Sequence, residues 1–175
     1  MFKNIIEDLD LYSFRRGWPR FMVVIIPFIY PTTWPVLCYR YQYWVHRNVS
    51  IPIIKQLLSI FGYIWKMLVV LLTGVTISER AKIGKGLFIS HLSGIVIGNG
   101  SCLGNYCSLH QCVTIGGAGI GKDYGKPKIG DYAFISVGAV IAGKINIEDN
   151  EAIGANAVVI KDAPSNVSLG VFLLG

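Results

Sequence analysis

Over most of the second half of the chain an aliphatic residue returns at every sixth position. Written in blocks from Ile77, the sequence reads ISERAK, IGKGLF, ISHLSG, then two extra residues, Ile95 and Val96, then IGNGSC, LGNYCS and LHQCVT. After Ile115, Gly116 and a glycine-rich insertion it resumes as IGDYAF, ISVGAV, IAGKIN, IEDNEA, IGANAV and VIKDAP. The fifth place is mostly small or aliphatic, as at Ala81, Ser93, Cys107, Ala133 and Ala157. A period of six belongs neither to an α-helix nor to an ordinary strand. It is the period of a parallel β-helix of hexapeptide repeats. Each block gives one short strand and a corner, three blocks make a coil, and the leading aliphatic points inward to stack on its equivalents. Twelve such blocks predict about four coils.

Upstream of that pattern, residues 1–75 hold the long apolar runs and all four tryptophans. The run FMVVIIPFIYPTTWPVLCY from Phe21 is interrupted by Pro27, Pro31 and Pro35, which break a continuous helix. It lacks a small-residue cleavage signature and does not read as a signal peptide. Ile51 to Val75 is the better helix, since only Lys55 and Lys66 interrupt a stretch long enough to cross a bilayer. About three turns separate the two lysines, so both fit one face. Two readings stand side by side: an amphipathic helix in a membrane interface, and a buried helix at a subunit contact.

Charge bears on that choice. Of the net charge of +6, residues 1–75 carry +5 and the remainder +1. A basic excess within the hydrophobic half points to an anionic membrane surface and not to nucleic acid, whose binders place basic residues on a polar face. The expected organisation is therefore a basic, hydrophobic α-helical segment over 1–75, a β-helix over 76–164 with a loop at 117–128, and a C-terminal tail over 165–175.

Stacking relates residues one coil apart, eighteen in sequence or twenty across the Ile95–Val96 interruption. His91 and Gln111 both stand third in their blocks and fall on one edge of the prism. A single histidine in a repeat is commonly a surface or corner residue. His91, however, stands in the block followed by the interruption, has few titratable neighbours, and precedes by one coil the excursion GGAGIGKDYGKP. A neutral imidazole takes a proton from an alcohol near neutral pH, which nearby Ser and Asn side chains do not. The loop, with its glycines and Lys122, Lys126 and Lys128, suits closing over a ligand or reaching a neighbouring subunit.

The stretches IGKGLFISHLSGIVIGNG, VTIGG, PKIGDYAFISVGAVIAG and IGANAVV resemble the serine acetyltransferase group of the hexapeptide-repeat acyltransferases. More closely they resemble the shorter O-acetyltransferases of that group associated with bacterial surface polysaccharides. The likeness covers residues 76–171, with a looser one in YRYQYWVHRNVSIPIIKQLL. It implies a left-handed parallel β-helix, a homotrimer with sites between subunits, and acetyl-CoA as donor. Under it His91 is the general base, and Gln111 an orienting or oxyanion residue. Gly116, Gly117, Val137 and Ala155 match the region lining the pantetheine arm, and Lys161 either meets CoA phosphates or is a solvated lysine.

Departures from the resemblance shape the expected acceptor. Thr76 stands where serine acetyltransferases have the aspartate that orients the histidine, and Ser90 replaces the acidic residue linked to binding the amino acid. Lys126 replaces a loop histidine, Phe172 a proline, and the long helical domain that precedes the β-helix in those enzymes is expected to be missing. Without the carboxylate a serine ammonium lacks a partner. The expectation is thus acetyl transfer to a sugar hydroxyl in surface-polysaccharide (capsule, exopolysaccharide or lipopolysaccharide) synthesis, in the cytoplasm at the inner face of the membrane. Serine O-acetylation is the alternative acceptor, and a non-catalytic trimeric membrane scaffold the alternative class.

Remaining reactive side chains add little. Cys102, Cys107 and Cys112 occupy different block positions, so one metal could not collect them, and Cys107 reads as core filler. No metal and no disulfide are expected. A zinc enzyme would need three converging histidines, and His91 and His110 supply two. His110 itself reads as a second base, a ligand or a corner residue. Glu79 and Asp123 are the acids that could take over the missing orienting role.

Overall fold

The computed structural model describes residues 2–121 and 124–162; Lys122, Asp123 and residues 163–175, with the tail and Phe172, lie outside the described residues. From Thr76 the chain winds into a left-handed parallel β-helix with three sheets. The first sheet stacks β1 (Thr76–Ile77), β4 (Val96–Ile97), β7 (Thr114–Gly116), β10 (Val140–Ala142) and β13 (Val158–Val159). The second stacks β2 (Lys82–Ile83), β5 (Cys102–Leu103), β8 (Lys128–Ile129) and β11 (Asn146–Ile147). The third stacks β3 (Phe88–Ile89), β6 (Ser108–Leu109), β9 (Phe134–Ile135) and β12 (Ala152–Ile153).

Each strand turns one side chain in and the next out, so the block leaders form the core. Ile97, Ile115 and Ile141 stack on one face of the interior, and Ile89, Leu109, Ile135 and Ile153 on another, all buried. Burying each contributes roughly 1.5–3 kcal/mol. Ser93 leaves the small-residue pattern: it is exposed at φ 89°, and the interruption hands its inward place to the fully buried Ile95. The glycine-rich excursion folds back on itself through an antiparallel bridge between Ala118 and Gly125.

Four helices precede the prism: α1 (Phe2–Arg15), α2 (Ile26–Ile29), α3 (Trp34–Asn48) and α4 (Pro52–Thr73), with 3-10 turns at Arg20–Val24 and Pro31–Thr33. Pro27, Pro35 and Pro52 fall in first turns, where the missing N–H costs nothing. Gly74, at φ 66°, ends α4.

An open coil presents unpaired backbone groups at its edge, and buried groups of that kind must be satisfied. Polar side chains from α1 and α3 do so. The Tyr39 hydroxyl donates to the Ala81 carbonyl (3.0 Å) and accepts from the Ile83 N–H (3.1 Å). Asp8 accepts from the Leu87 N–H (2.9 Å), and the Tyr12 hydroxyl from the Ile89 N–H (2.9 Å). Arg40 donates to both Asp8 oxygens (2.8 and 3.0 Å) and to the Ile83 and Gly84 carbonyls. Burial pushes the Asp8 carboxyl above its ordinary value, against the pull of the Arg40 guanidinium and the Leu87 N–H. These helices are therefore an end cap for the first coil, a role that the apolar pattern of residues 1–75 did not reveal.

In contrast, α4 meets α3 along one side and leaves the other open. Its 22 residues are long and apolar enough to cross a membrane, and only 17% of its most apolar window is buried. Lys66 turns back to Glu79 (3.3 Å) and Lys55 to the His46 carbonyl (3.0 Å). Ile53, Leu57, Ile64, Met67 and Leu71 are exposed.

Candidate functional site

The corner that follows the third sheet stacks Ser90–His91, His110–Gln111, Ser136–Val137 and Gly154–Ala155, because β3, β6, β9 and β12 run in continuous register. Backbone bonds from Gly138 N–H to the Gln111 carbonyl (3.0 Å) and from Asn156 N–H to the Val137 carbonyl (2.8 Å) hold it. Gly138 sits at φ 70°, and a Cβ there would lie 2.1 Å from the Asn156 side-chain oxygen. The structure thus brings His91, Gln111, Val137 and Ala155 to one edge. It does not bring Gly116, Gly117 and Lys161 there. Gly117 and Lys161 share the corner at the other end of the first sheet, by extension of the β7–β10–β13 register, and Gly116 ends β7 beside it.

His91 is exposed and lies 5.8 Å from His110, ring centre to ring centre, in an edge-to-face arrangement. His110 in turn meets the Phe134 ring at 5.0 Å. Burial first, then the neighbouring His91 and Arg15, hold the His110 imidazole below its ordinary value. It is a neutral partner near pH 7.

The third member of the cluster comes from α1. Arg15 lays its guanidinium 4.2 Å over the Phe88 ring and donates to the Ser108 hydroxyl at 2.7 Å. The six-residue period carries no sign of it, and only the docking of α1 on the third sheet discloses it. In the observed register His110 falls opposite Ser90, yet the rings of the two histidines meet across the corner.

Among the described residues no carboxylate pairs with either imidazole. Glu79, one of the two acids considered for orienting His91, is engaged by Lys66, and Asp123 lies outside the described residues. The Gln111 side-chain carbonyl is buried with no partner among the described residues, so donation to an oxyanion falls to its NH2 and to backbone N–H groups. Of the three loop lysines expected to act together, Lys126 lies against Gly100, Lys128 projects from β8 on the second sheet, and Lys122 lies outside the described residues. Cys107 is buried, and burial pushes its thiol up to about 11. Among the described residues no group of three or more metal-ligating side chains converges.

No family model matches the chain. A serine acetyltransferase of Synechococcus elongatus is 34% identical over 171 residues, 97% of this chain and 66% of its own length. That of Helicobacter pylori is 36% identical over 137 residues, covering 78% of this chain and 75% of its own length. The chain belongs to the serine acetyltransferase family. The Neisseria gonorrhoeae serine acetyltransferase solved in complex with serine superposes with a TM-score of 0.74 at 28% identity, over 95% of this chain and 64% of that one. This chain spans roughly two thirds to three quarters of the length of these two curated relatives. All three are named for serine: the likeness supports the hexapeptide-repeat acyltransferase family, and none of these names carries it on to polysaccharide acceptors.

Proposed function

We propose that this protein is an O-acetyltransferase that moves acetyl from acetyl-CoA to an acceptor hydroxyl, with His91 as general base. The observation that carries the proposal is an exposed His91 on the coil edge, in register with Gln111, in a member of the serine acetyltransferase family. His91 takes the hydroxyl proton as the acceptor oxygen attacks the thioester carbonyl, and a C–O bond forms. The oxyanion then collapses, the C–S bond breaks, and the imidazolium returns the proton to the CoA thiolate. L-Serine is the acceptor favoured by the names of the relatives and by the serine complex of one of them. A sugar hydroxyl is the second reading. It is favoured by Ser90 and Thr76, and by the lack of a carboxylate at the imidazoles among the described residues, which leaves an ammonium unpartnered.

Two further features belong to this proposal. The residues considered for CoA divide between two corners of the prism, and a homotrimer with closed cyclic symmetry would set one subunit's corner against its neighbour's. The open apolar face of α4, beside a basic helical segment, suits an anionic membrane surface on the cytoplasmic side.

Thiol release from acetyl-CoA with L-serine, with neutral and acidic sugars, and with no acceptor tests the reaction. The acceptor that raises release above the blank decides between the readings. His91→Ala should lower turnover about 100- to 10,000-fold with unchanged melting. Equal rates in the two proteins would remove His91 from the chemistry.

A further inference from the structure

We infer that Arg15 is the anion-binding residue of the acceptor site, taking a carboxylate on the hydroxylated acceptor and turning its hydroxyl toward His91. The inference rests on the acetyl-transfer reading and concerns which acceptors fit it.

Arg15 is a placed cation. It is the last residue of α1, which Gly17 then ends at φ 67°. Its guanidinium is held over Phe88 and bonded to Ser108, a residue only 3% exposed. Phe88 stands three residues before His91 and Ser108 two before His110, both on the outer face of the third sheet. Arg15 thus sits on the two strands that lead into the histidine corner. The spacing from Ser108 to His110 is about 6.6 Å along the strand.

Among the described residues its charge is also uncompensated. Arg20 has Asp10 at 2.6 Å and Arg40 has Asp8 at 2.8 Å, whereas Arg15 has no acid among the described residues. A ring face and a hydroxyl orient a guanidinium without neutralising it, and the bond to Ser108 occupies one of its five N–H donors. The remaining fork matches a carboxylate in two-point geometry, already ordered. Ser90, where an acid would compete for it, is neutral, and His110, held neutral, adds no second positive charge, so among the described residues no anion at the corner draws the arginine away.

Two carboxylated acceptors share this chemistry, a hydroxy amino acid and an acidic sugar, and paired substrates separate them. Specificity constants are measured for L-serine against L-serinamide and for D-glucuronate against D-glucose, on the full chain and on Arg15→Gln and Arg15→Lys. The expected result is a preference for the charged member of one pair that Arg15→Gln reduces about 10- to 100-fold, mainly through KM, with the neutral member unaffected and Arg15→Lys between. A purely structural Arg15 would lower both members of a pair together, and that result, or an unchanged preference, overturns the inference. Calorimetric binding of L-serine and D-glucuronate to the same proteins reads the site without turnover. Binding that Arg15→Gln abolishes, without any CoA release, upholds the anion site and sinks acetyl transfer. Release with no charge preference does the reverse, and failure of the unsubstituted protein to bind either carboxylate also overturns the inference.

Discussion

Replacing Arg40 by alanine tests whether the helical segment is an integral cap of the β-helix. The guanidinium holds both oxygens of Asp8 and the carbonyls of Ile83 and Gly84, and the Asp8–Arg40 side chains are 1% and 3% exposed. Its removal leaves the Asp8 carboxylate buried with no cation beside it among the described residues, held only by backbone N–H groups, that of Leu87 at 2.9 Å and that of Gly86. Breaking such a pair costs about 3–5 kcal/mol. At about 2–4 °C per kcal/mol for a chain of this size, the midpoint of thermal unfolding falls by about 6–20 °C. Burial already favours the protonated carboxyl, so the variant recovers part of the loss on acidification, when Asp8 takes a proton. The double replacement Asp8→Leu, Arg40→Met leaves no orphaned charge and should melt above Arg40→Ala. Circular dichroism melts at two pH values read all of this. An Arg40→Ala midpoint within about 2–4 °C of the parent, or a double variant no better than the single one, would refute the cap.

The histidine cluster predicts a titration. His110 should titrate below the ordinary 6.5, and Arg15→Gln and His91→Ala should each move it up by removing a repelling cation, as followed by NMR of the ring. Because its folded value is depressed, the unfolded chain takes the proton first. Its stabilisation is whole above 6.5 and is lost as pH falls from there through the folded value. A His110 that titrates identically in all three proteins would dissolve the cluster. For α4, replacing the exposed Leu57, Ile64 and Leu71 by serine should leave the melting midpoint unchanged and abolish co-sedimentation with anionic phospholipid vesicles. Equal sedimentation of parent and variant would end the membrane role.

The β-helix was legible because its signal is repetitive: one inward aliphatic per block fixes the period, the strand positions and the register together. Thr76, Val96 and Thr114 fall opposite one another because the spacing dictates it. The same regularity placed His91 opposite Gln111. It could not place Arg15 or the capping side chains. Asp8 bonds a backbone group 79 residues away and Tyr39 one 44 away, and neither distance leaves a periodic trace. Composition carried no trace of the cap, since Asp8, Tyr12, Tyr39 and Arg40 close the coil edge from within an apolar stretch. His110 was legible only as one of several options, because ring contacts across a corner depend on side-chain direction as well as on stacking.

One face of α1 joins the cap to the site. Asp8, Tyr12 and Arg15 follow the i, i+4, i+7 spacing that aligns side chains along one helix face. They meet in turn the Leu87 N–H, the Ile89 N–H, and Ser108 with Phe88. About 10 Å of helix therefore lies along the third sheet and ends at the histidine corner. The aspartate and the tyrosine fix the helix by satisfying the coil edge, and the arginine uses that fixed position. A shift of one residue in this docking would turn the helix by about 100° and lose all three contacts together. The stability of the first coil and the charge presented to the acceptor are consequently set by one register, and a substitution that weakens the cap should also weaken the discrimination between charged and neutral acceptors.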